Sequence, residues 1–152
     1  MPAKSHGSNL RRGRYSEPER LYLLTSVLLQ RRPLFNDFAL ARLLVKELRV
    51  AHEQQQVASL AWVVMPDHLH WLVQLQTGSL EQLMRRIKSK SARQINQYLG
   101  TQGPIWQQGY HDRALRKDEG LQSAALYIVA NPLRAGLVKR IGNYPLWDAV
   151  WL

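Results

Sequence analysis

Hydrophobic residues recur along this chain with two different periods. Between His68 and Leu75 they alternate with polar residues, as in a strand that buries one face. Between Leu80 and Leu99 they return every three or four residues, which is the spacing of an amphipathic helix. Applied to the whole chain, the two patterns predict strands over residues 21–29, 57–65, 68–75 and 110–116, and helices over residues 38–51, 80–100 and from 118 or 119 to 131.

Local turn and cap residues support these boundaries. Asn36 and Asp37 can cap the first helix, and Ser79 with Gln82 forms a capping box before the second. Pro66-Asp67 predicts a tight turn that joins the two middle strands as a hairpin.

The resulting order of elements is β, α, β, β, α, β, α. It predicts an α+β protein with a ferredoxin-like split βαβ arrangement. We expect a mostly antiparallel sheet of four to five strands, backed by helices, and a C-terminal helix that carries Tyr127. With no long linker in the sequence, we expect one domain over residues 21–152, preceded by a basic arm over residues 1–20.

The net charge of the chain indicates the kind of partner that it binds. The 152 residues contain 21 Lys and Arg against 11 Asp and Glu, a formal net charge of +10. Because like charges repel one another and weaken the compact state, this excess favours a polyanionic partner. Either of two basic blocks alone could be a solvated face, but together they favour nucleic acid. The blocks are Arg11, Arg12 and Arg14 in the arm, and Arg85, Arg86, Lys88, Lys90 and Arg93 on the second predicted helix.

The amino-acid composition also reduces the number of cellular compartments in which we expect the protein. The chain has no Cys, which excludes disulfides and Cys-ligated zinc. No apolar stretch approaches the roughly 20 residues of a membrane helix, and nothing near Met1 resembles a cleavable signal. We therefore expect a cytoplasmic, nucleoid-associated protein with no membrane partner.

Two pairs of residues are candidates for chemistry. His68 and His70 leave the same face of a strand and could reach one metal ion, although each ring could equally form an ordinary hydrogen bond. Tyr127 and Asn131 are four residues apart and share a helix face, although a Tyr is often core and an Asn before Pro often ends a helix.

Two aromatic residues are candidates for base stacking. Trp106 and Tyr110 fall in a Gly-containing loop, where they could stack on exposed bases. Packing in the core is the alternative, since Trp and Tyr are usually mostly buried.

Together these segments resemble a known family. They are LRRGRYS (10–16), RRPLFNDF (31–38), MPDHLHW (65–71), WQQGYHDR (106–113) and YIVANPLRAGLV (127–138). In this order they resemble the single-tyrosine HUH nucleases (His, hydrophobic, His), and specifically the REP-associated tyrosine transposases of the IS200-like superfamily.

The resemblance implies a mechanism and its residues. Tyr127 would be the nucleophile that forms a covalent 5'-phosphotyrosine with DNA, and His68, His70 and Asn131 would hold Mg²⁺ or Mn²⁺. Asn131 is the ligand for which relatives use other polar residues. The implied substrate is single-stranded DNA whose palindromes fold as hairpins. Related insertion-sequence enzymes are homodimers, whereas the REP-associated group could act as monomers. The resemblance is therefore compatible with a homodimer and with a monomer.

Three other functions compete with this one. The chain could bind DNA hairpins without catalysis, or could be a phosphodiesterase whose two His and metal ion activate water. An RNA-binding ferredoxin-like domain is the weakest alternative, because the aromatic strand motif of that class is missing.

Overall fold

The computed structural model describes residues 19–115 and 120–149. The predicted DNA contacts Arg11, Arg12 and Arg14 therefore lie outside the described residues, as does the predicted start of the last long helix. The described elements are β1 (Leu21–Val27), α1 (Phe38–Glu53), β2 (Val57–Met65), β3 (His68–Leu75), α2 (Leu80–Leu99), β4 (His111–Ala114), α3 (Leu121–Val129), α4 (Asn131–Arg134) and β5 (Trp147–Ala149), with 3-10 turns at Leu29–Arg31, Leu34–Asn36 and Ile141–Asn143.

The helix boundaries follow from capping. The Asp37 side chain accepts a hydrogen bond from the Ala39 backbone at the start of α1. The capping box of Ser79 and Gln82 is present at the start of α2, whose C-cap Gly100 has a φ of 68°. A left-handed residue of this kind ends a helix at little cost when it is Gly.

Five strands form one antiparallel sheet in the order β4-β1-β3-β2-β5. The predicted fold class is confirmed, because the first four strands have the ferredoxin-like order and helices cover the sheet. The chain's aromatic tail adds β5 beside β2. Three residues are too few to show a period, so the sequence pattern did not predict this strand.

The two faces of the sheet are covered differently. One face, which we call the helix-layer face, packs against α1 and α2 in the larger core. The larger core includes Leu24, Leu69 and Trp71, each at most 1% exposed. The opposite face carries His68, His70 and Leu72. On this second face, Leu72 packs in a smaller core with residues of α3.

Two predicted boundaries differ from the structure. The fourth strand is four residues long rather than seven. The last helix is interrupted at Ala130, after which the one-turn α4 begins at Asn131. Asn131 and Pro132 thus start a new turn of helix, as Pro prefers its first turn, rather than closing the old one. No helix in the described ranges is long and apolar enough to cross a membrane.

Candidate active site

His68 and His70 form a pair on one face at the start of β3. Their ring centroids are 4.8 Å apart, and the rings meet edge to face at 81°. The strand alternation that predicted this common face is therefore confirmed by the register of β3 with its neighbours.

Each ring is held through its Nδ1 atom. The Nδ1 of His68 lies 2.7 Å from Oδ1 of Asp67, and Oδ2 of the same carboxylate accepts a hydrogen bond of 3.1 Å from Arg31. The Nδ1 of His70 lies 2.9 Å from Oγ1 of Thr25 on β1. Because a carboxylate only accepts, His68 donates from Nδ1, and its Nε2 lone pair is available to a metal ion.

The surroundings favour a neutral His70. Burial, followed by the charges of His68 and Arg134, lowers the pKa of His70 from 6.5 to about 4. Partial burial raises the pKa of Asp67, but the hydrogen bonds and charges of His68 and Arg31 outweigh it and hold that pKa below its usual value of 3.8. Near neutral pH the site thus combines an uncharged imidazole at His70 with the carboxylate of Asp67, which holds the ring of His68.

Acid is expected to destabilise the fold through His70. Between pH 6.5 and about 4 the folded chain holds fewer protons at this ring than the unfolded chain does, so stability falls as the pH is lowered through that window. From pH 7 to 4.5 the loss should be about 2 to 3 kcal/mol. Urea unfolding in EDTA measures it, and His70→Gln should flatten the dependence. An identical pH dependence in both proteins would contradict the assignment.

The donor set fits a divalent ion in part. Imidazole nitrogens are ligands of divalent first-row transition metals, and both rings have the second contact that orients such ligands. Within residues 19–115 and 120–149, no group of three His, Cys, Asp or Glu is placed to hold a metal. A third protein ligand would thus have to be another residue type, such as Asn131.

Helix α3 lies beside the histidine pair. Val63 and Met65 are the cross-strand neighbours of His70 and His68 on β2, and both pack in the core formed under α3. Tyr127 is on this helix, on the same side of the sheet as the pair, and its side chain is 64% exposed.

Asn131 follows Tyr127 by one turn across the α3–α4 junction. At this junction Ala130 has a φ of −80° and a ψ of −2°. The common face of Tyr127 and Asn131 stays a prediction. The guanidinium of Arg134, on the next turn, lies 3.9 Å from the centroid of the Tyr127 ring.

Sequence patterns did not predict the contacts that orient the two imidazole rings. Thr25 is 45 residues from His70 and meets it only through strand pairing. Arg31 reaches Asp67 from the turn after β1. The adjacency of Asp67 to His68 was the one visible signal, and it was compatible with a turn residue alone.

Within the described residues, the basic residues predicted to bind DNA lie on α2, across the sheet from the histidine pair. Lys90 and Arg93 are exposed, and neither side chain forms an ion pair or hydrogen bond with a described residue. Arg85 pairs with Glu81, and Arg86 donates to Gln56.

Three other residues that are predicted to contact DNA are less exposed than Lys90 and Arg93. Lys88 donates to the backbone carbonyls of Gln107 and Gly109, so it fixes the loop before β4. Trp106 is 7% exposed and Tyr110 6% exposed. Both residues pack in the larger core and also line the groove between α2 and the loop before β4, so base stacking by their rings stays a prediction.

Residues 21–131 match the family model described as "Transposase IS200 like". The REP-associated tyrosine transposase of Escherichia coli (strain K12) is 31% identical over 87 residues, which are 56% of this chain and 50% of that protein; the matched region thus spans half of that relative's length. A putative REP-associated tyrosine transposase of Haemophilus influenzae is 26% identical over 141 residues, 82% of this chain and 77% of that protein.

Two solved structures share the fold. A REP-associated tyrosine transposase bound to a REP hairpin has a TM-score of 0.73 at 24% identity, over 88% of this chain and 79% of that one. A putative transposase from Deinococcus radiodurans R1 has a TM-score of 0.55 at 19% identity, over 86% and 95%. Since the family model covers most of the sequence, including the histidine pair and Tyr127, the chain belongs to the IS200-like transposase family.

Proposed function

We propose that this chain is a metal-dependent, single-strand-specific DNA endonuclease and strand transferase that acts through Tyr127. The observation that carries the proposal is that α3 brings Tyr127 to the face of the sheet from which His68 and His70 project. Membership in the IS200-like transposase family supports it.

The proposed step exchanges one phosphate ester for another. The Tyr127 oxygen attacks a backbone phosphorus, the bond from that phosphorus to the 3' oxygen breaks, and a 5'-phosphotyrosine forms. The phenol proton passes to solvent, and the departing 3' oxygen takes up a proton. Because the ester bond is exchanged rather than hydrolysed, the reverse attack can rejoin a strand without ATP.

The histidine pair would hold Mg²⁺ or Mn²⁺, with Asn131 as the third protein ligand. Such an ion withdraws charge from a phosphodiester and orients it for in-line attack. Imidazole is a softer ligand than Mg²⁺ prefers, so we expect tighter binding of Mn²⁺. Asp67 and Thr25 would keep the two rings oriented in the free protein.

Single-stranded DNA that carries a hairpin-forming palindrome is the proposed substrate. One structural relative is bound to a REP hairpin. In this chain Lys90 and Arg93 would contact phosphates on the helix-layer side, and the histidine pair lies on the other side of the sheet. One DNA molecule that contacts both must therefore pass round an edge of the sheet.

A groove at the β4 edge offers such a passage. Its volume is about 490 Å³, and it runs between α2 and the loop before β4, with Arg85 and Lys88 in its lining. That loop leads directly into His111, which pairs with Thr25 beside His70. A flexible single strand can follow such a bend more readily than a stiff duplex.

The direct test is incubation with labelled single-stranded palindromic DNA and Mn²⁺, followed by denaturing gel electrophoresis. We expect a protein–DNA adduct that survives SDS, and none with the fully paired duplex. Cleavage without an adduct would instead indicate that water is the nucleophile. Binding without cleavage would indicate a silent hairpin-binding protein.

Removing the α2 cations is expected to weaken binding through phosphate contacts. The double variant Lys90→Ala/Arg93→Ala should lower the slope of log affinity against log salt by about 1.4 to 1.8, since each phosphate contact contributes about 0.7 to 0.9. Fluorescence anisotropy over a salt series measures the slope. Lys139→Ala/Arg140→Ala removes the same charge elsewhere and should change it much less; equal slopes in the two double variants would contradict the proposed surface.

A further inference from the structure

Arg134 lies against the ring of the proposed nucleophile. Its guanidinium carbon is 3.9 Å from the centroid of Tyr127. The backbone explains the contact, because Ala130 bonds to the carbonyl of Leu126 and Arg134 bonds to that of Ala130, which continues the helical path across the α3–α4 junction. Seven residues are about two helical turns, so the two side chains leave the same side.

The contact lies on the side of the sheet that carries the histidine pair. Helix α3, which carries Tyr127, packs on the face from which His68 and His70 project. The region between Tyr127 and the histidine pair is where a phosphodiester would have to lie for Tyr127 to attack it.

An exposed tyrosine needs such a contact to hold one orientation. With 64% of its side chain exposed, Tyr127 has little packing to select a rotamer. A cation–π contact at an exposed site is worth about 0.5 to 1 kcal/mol, which biases the ring toward the stacked orientation by roughly two- to fivefold. Arg suits this contact because its planar group stacks on an aromatic face.

We propose that Arg134 is a positioning residue for Tyr127, which holds the ring beside the histidine pair before DNA binds. The proposal rests on the proposed function and deepens it, since it assigns a role within the same site. Arg134 neither gains nor loses a proton or a bond in the step. Its contribution is to reduce the orientational freedom that the nucleophile loses on the way to the transition state.

Arg134→Ala and Arg134→Lys test the proposal in the full chain. At saturating single-stranded DNA, Arg134→Ala should slow single-turnover adduct formation by about two- to fivefold, which is the orientational bias that the contact supplies. Its affinity for DNA should stay within about threefold of the original. Arg134→Lys keeps the charge without the planar group and should fall between the two rates. Arg140→Ala, which removes an exposed Arg from the same C-terminal region, is the matched control and should keep the original rate.

NMR gives a readout that does not depend on activity. In the free protein, the ring resonances of Tyr127, assigned with Tyr127→Phe, should shift in Arg134→Ala and much less in Arg140→Ala. A merely structural role would also lower the melting temperature and disturb resonances throughout the smaller core. We expect neither effect, because Arg134 is exposed.

The outcomes separate the two proposals. If Tyr127→Phe abolishes the adduct but Arg134→Ala forms it at the same rate as Arg140→Ala, the role of Arg134 is overturned and the proposed function stands. An unshifted Tyr127 ring in Arg134→Ala would also overturn the role. If the original chain forms no adduct at all, both proposals fail.

Discussion

Replacing Tyr127 by Phe is expected to abolish the covalent protein–DNA adduct. The change removes one oxygen and leaves the ring, so the contact with Arg134 and the packing of α3 can persist. Without a hydroxyl there is no atom to form the phosphoester, and the adduct should fall by at least about a thousandfold, to the limit of a denaturing gel. Affinity for single-stranded DNA should change by less than about twofold, because the ring and all charges remain.

Tyr98→Phe is the matched control for this change. Tyr98 is 57% exposed on α2, on the helix-layer side of the sheet, and the same single oxygen is removed. This variant should form the adduct at the original rate. An adduct that persists in Tyr127→Phe would assign the nucleophile to another residue.

Removing either imidazole is expected to eliminate metal-dependent cleavage. His68→Ala or His70→Ala leaves one nitrogen donor of the pair, and loss of a ligand should weaken binding of Mn²⁺ by at least about 10- to 100-fold, the cost seen even for outer contacts of such ligands. Cleavage in Mg²⁺ should fall by at least the same factor. Isothermal titration with Mn²⁺ and a cleavage assay over a metal series measure the two effects separately.

His52→Ala controls for the loss of a histidine as such. His52 is exposed at the end of α1 and accepts a hydrogen bond from the Ser59 backbone, on the helix-layer side. Its removal should leave Mn²⁺ affinity and cleavage near their original values. Undiminished cleavage in Mg²⁺ by both His68→Ala and His70→Ala would rule out ligation by the pair.

Local patterns predicted most of the fold correctly because most boundaries are set locally. The hairpin of β2 and β3 needs only alternation and the Pro66-Asp67 turn, and its strand limits are those predicted. The start of α2 needs only Ser79 and Gln82. β5 depends on an available edge of β2, which is a property of the assembled sheet and not of three residues.

Part of the candidate site likewise follows from local patterns, and part depends on the assembled sheet. Common faces for His68 with His70, and for Tyr127 with Asn131, follow from strand and helix periods. Thr25 contacts His70 only because β1 pairs with β3 in one register, which no local pattern specifies. The burial of Trp106 likewise depends on α2, whose Ser91 accepts a hydrogen bond from the indole.

The placement of the basic residues changes how DNA has to be held. A charge block on a predicted helix indicates nucleic acid, but it does not indicate which face of the sheet that helix covers. The structure places Lys90 and Arg93 across the sheet from the histidine pair. Phosphate contacts and cleavage are thus expected to involve different segments of one substrate, and substrates shortened on either side of the cleavage point should separate them.

In the proposed site, Tyr127 lies beside a cation held by His68 and His70. Paramagnetic broadening by Mn²⁺ measures this proximity, because the effect falls steeply with distance from the ion. With isotope-labelled tyrosine, the Tyr127 ring should broaden strongly on addition of Mn²⁺, Tyr98 across the sheet should broaden far less, and the difference should vanish in His68→Ala/His70→Ala. Equal broadening of both rings, or none at Tyr127, would contradict the account.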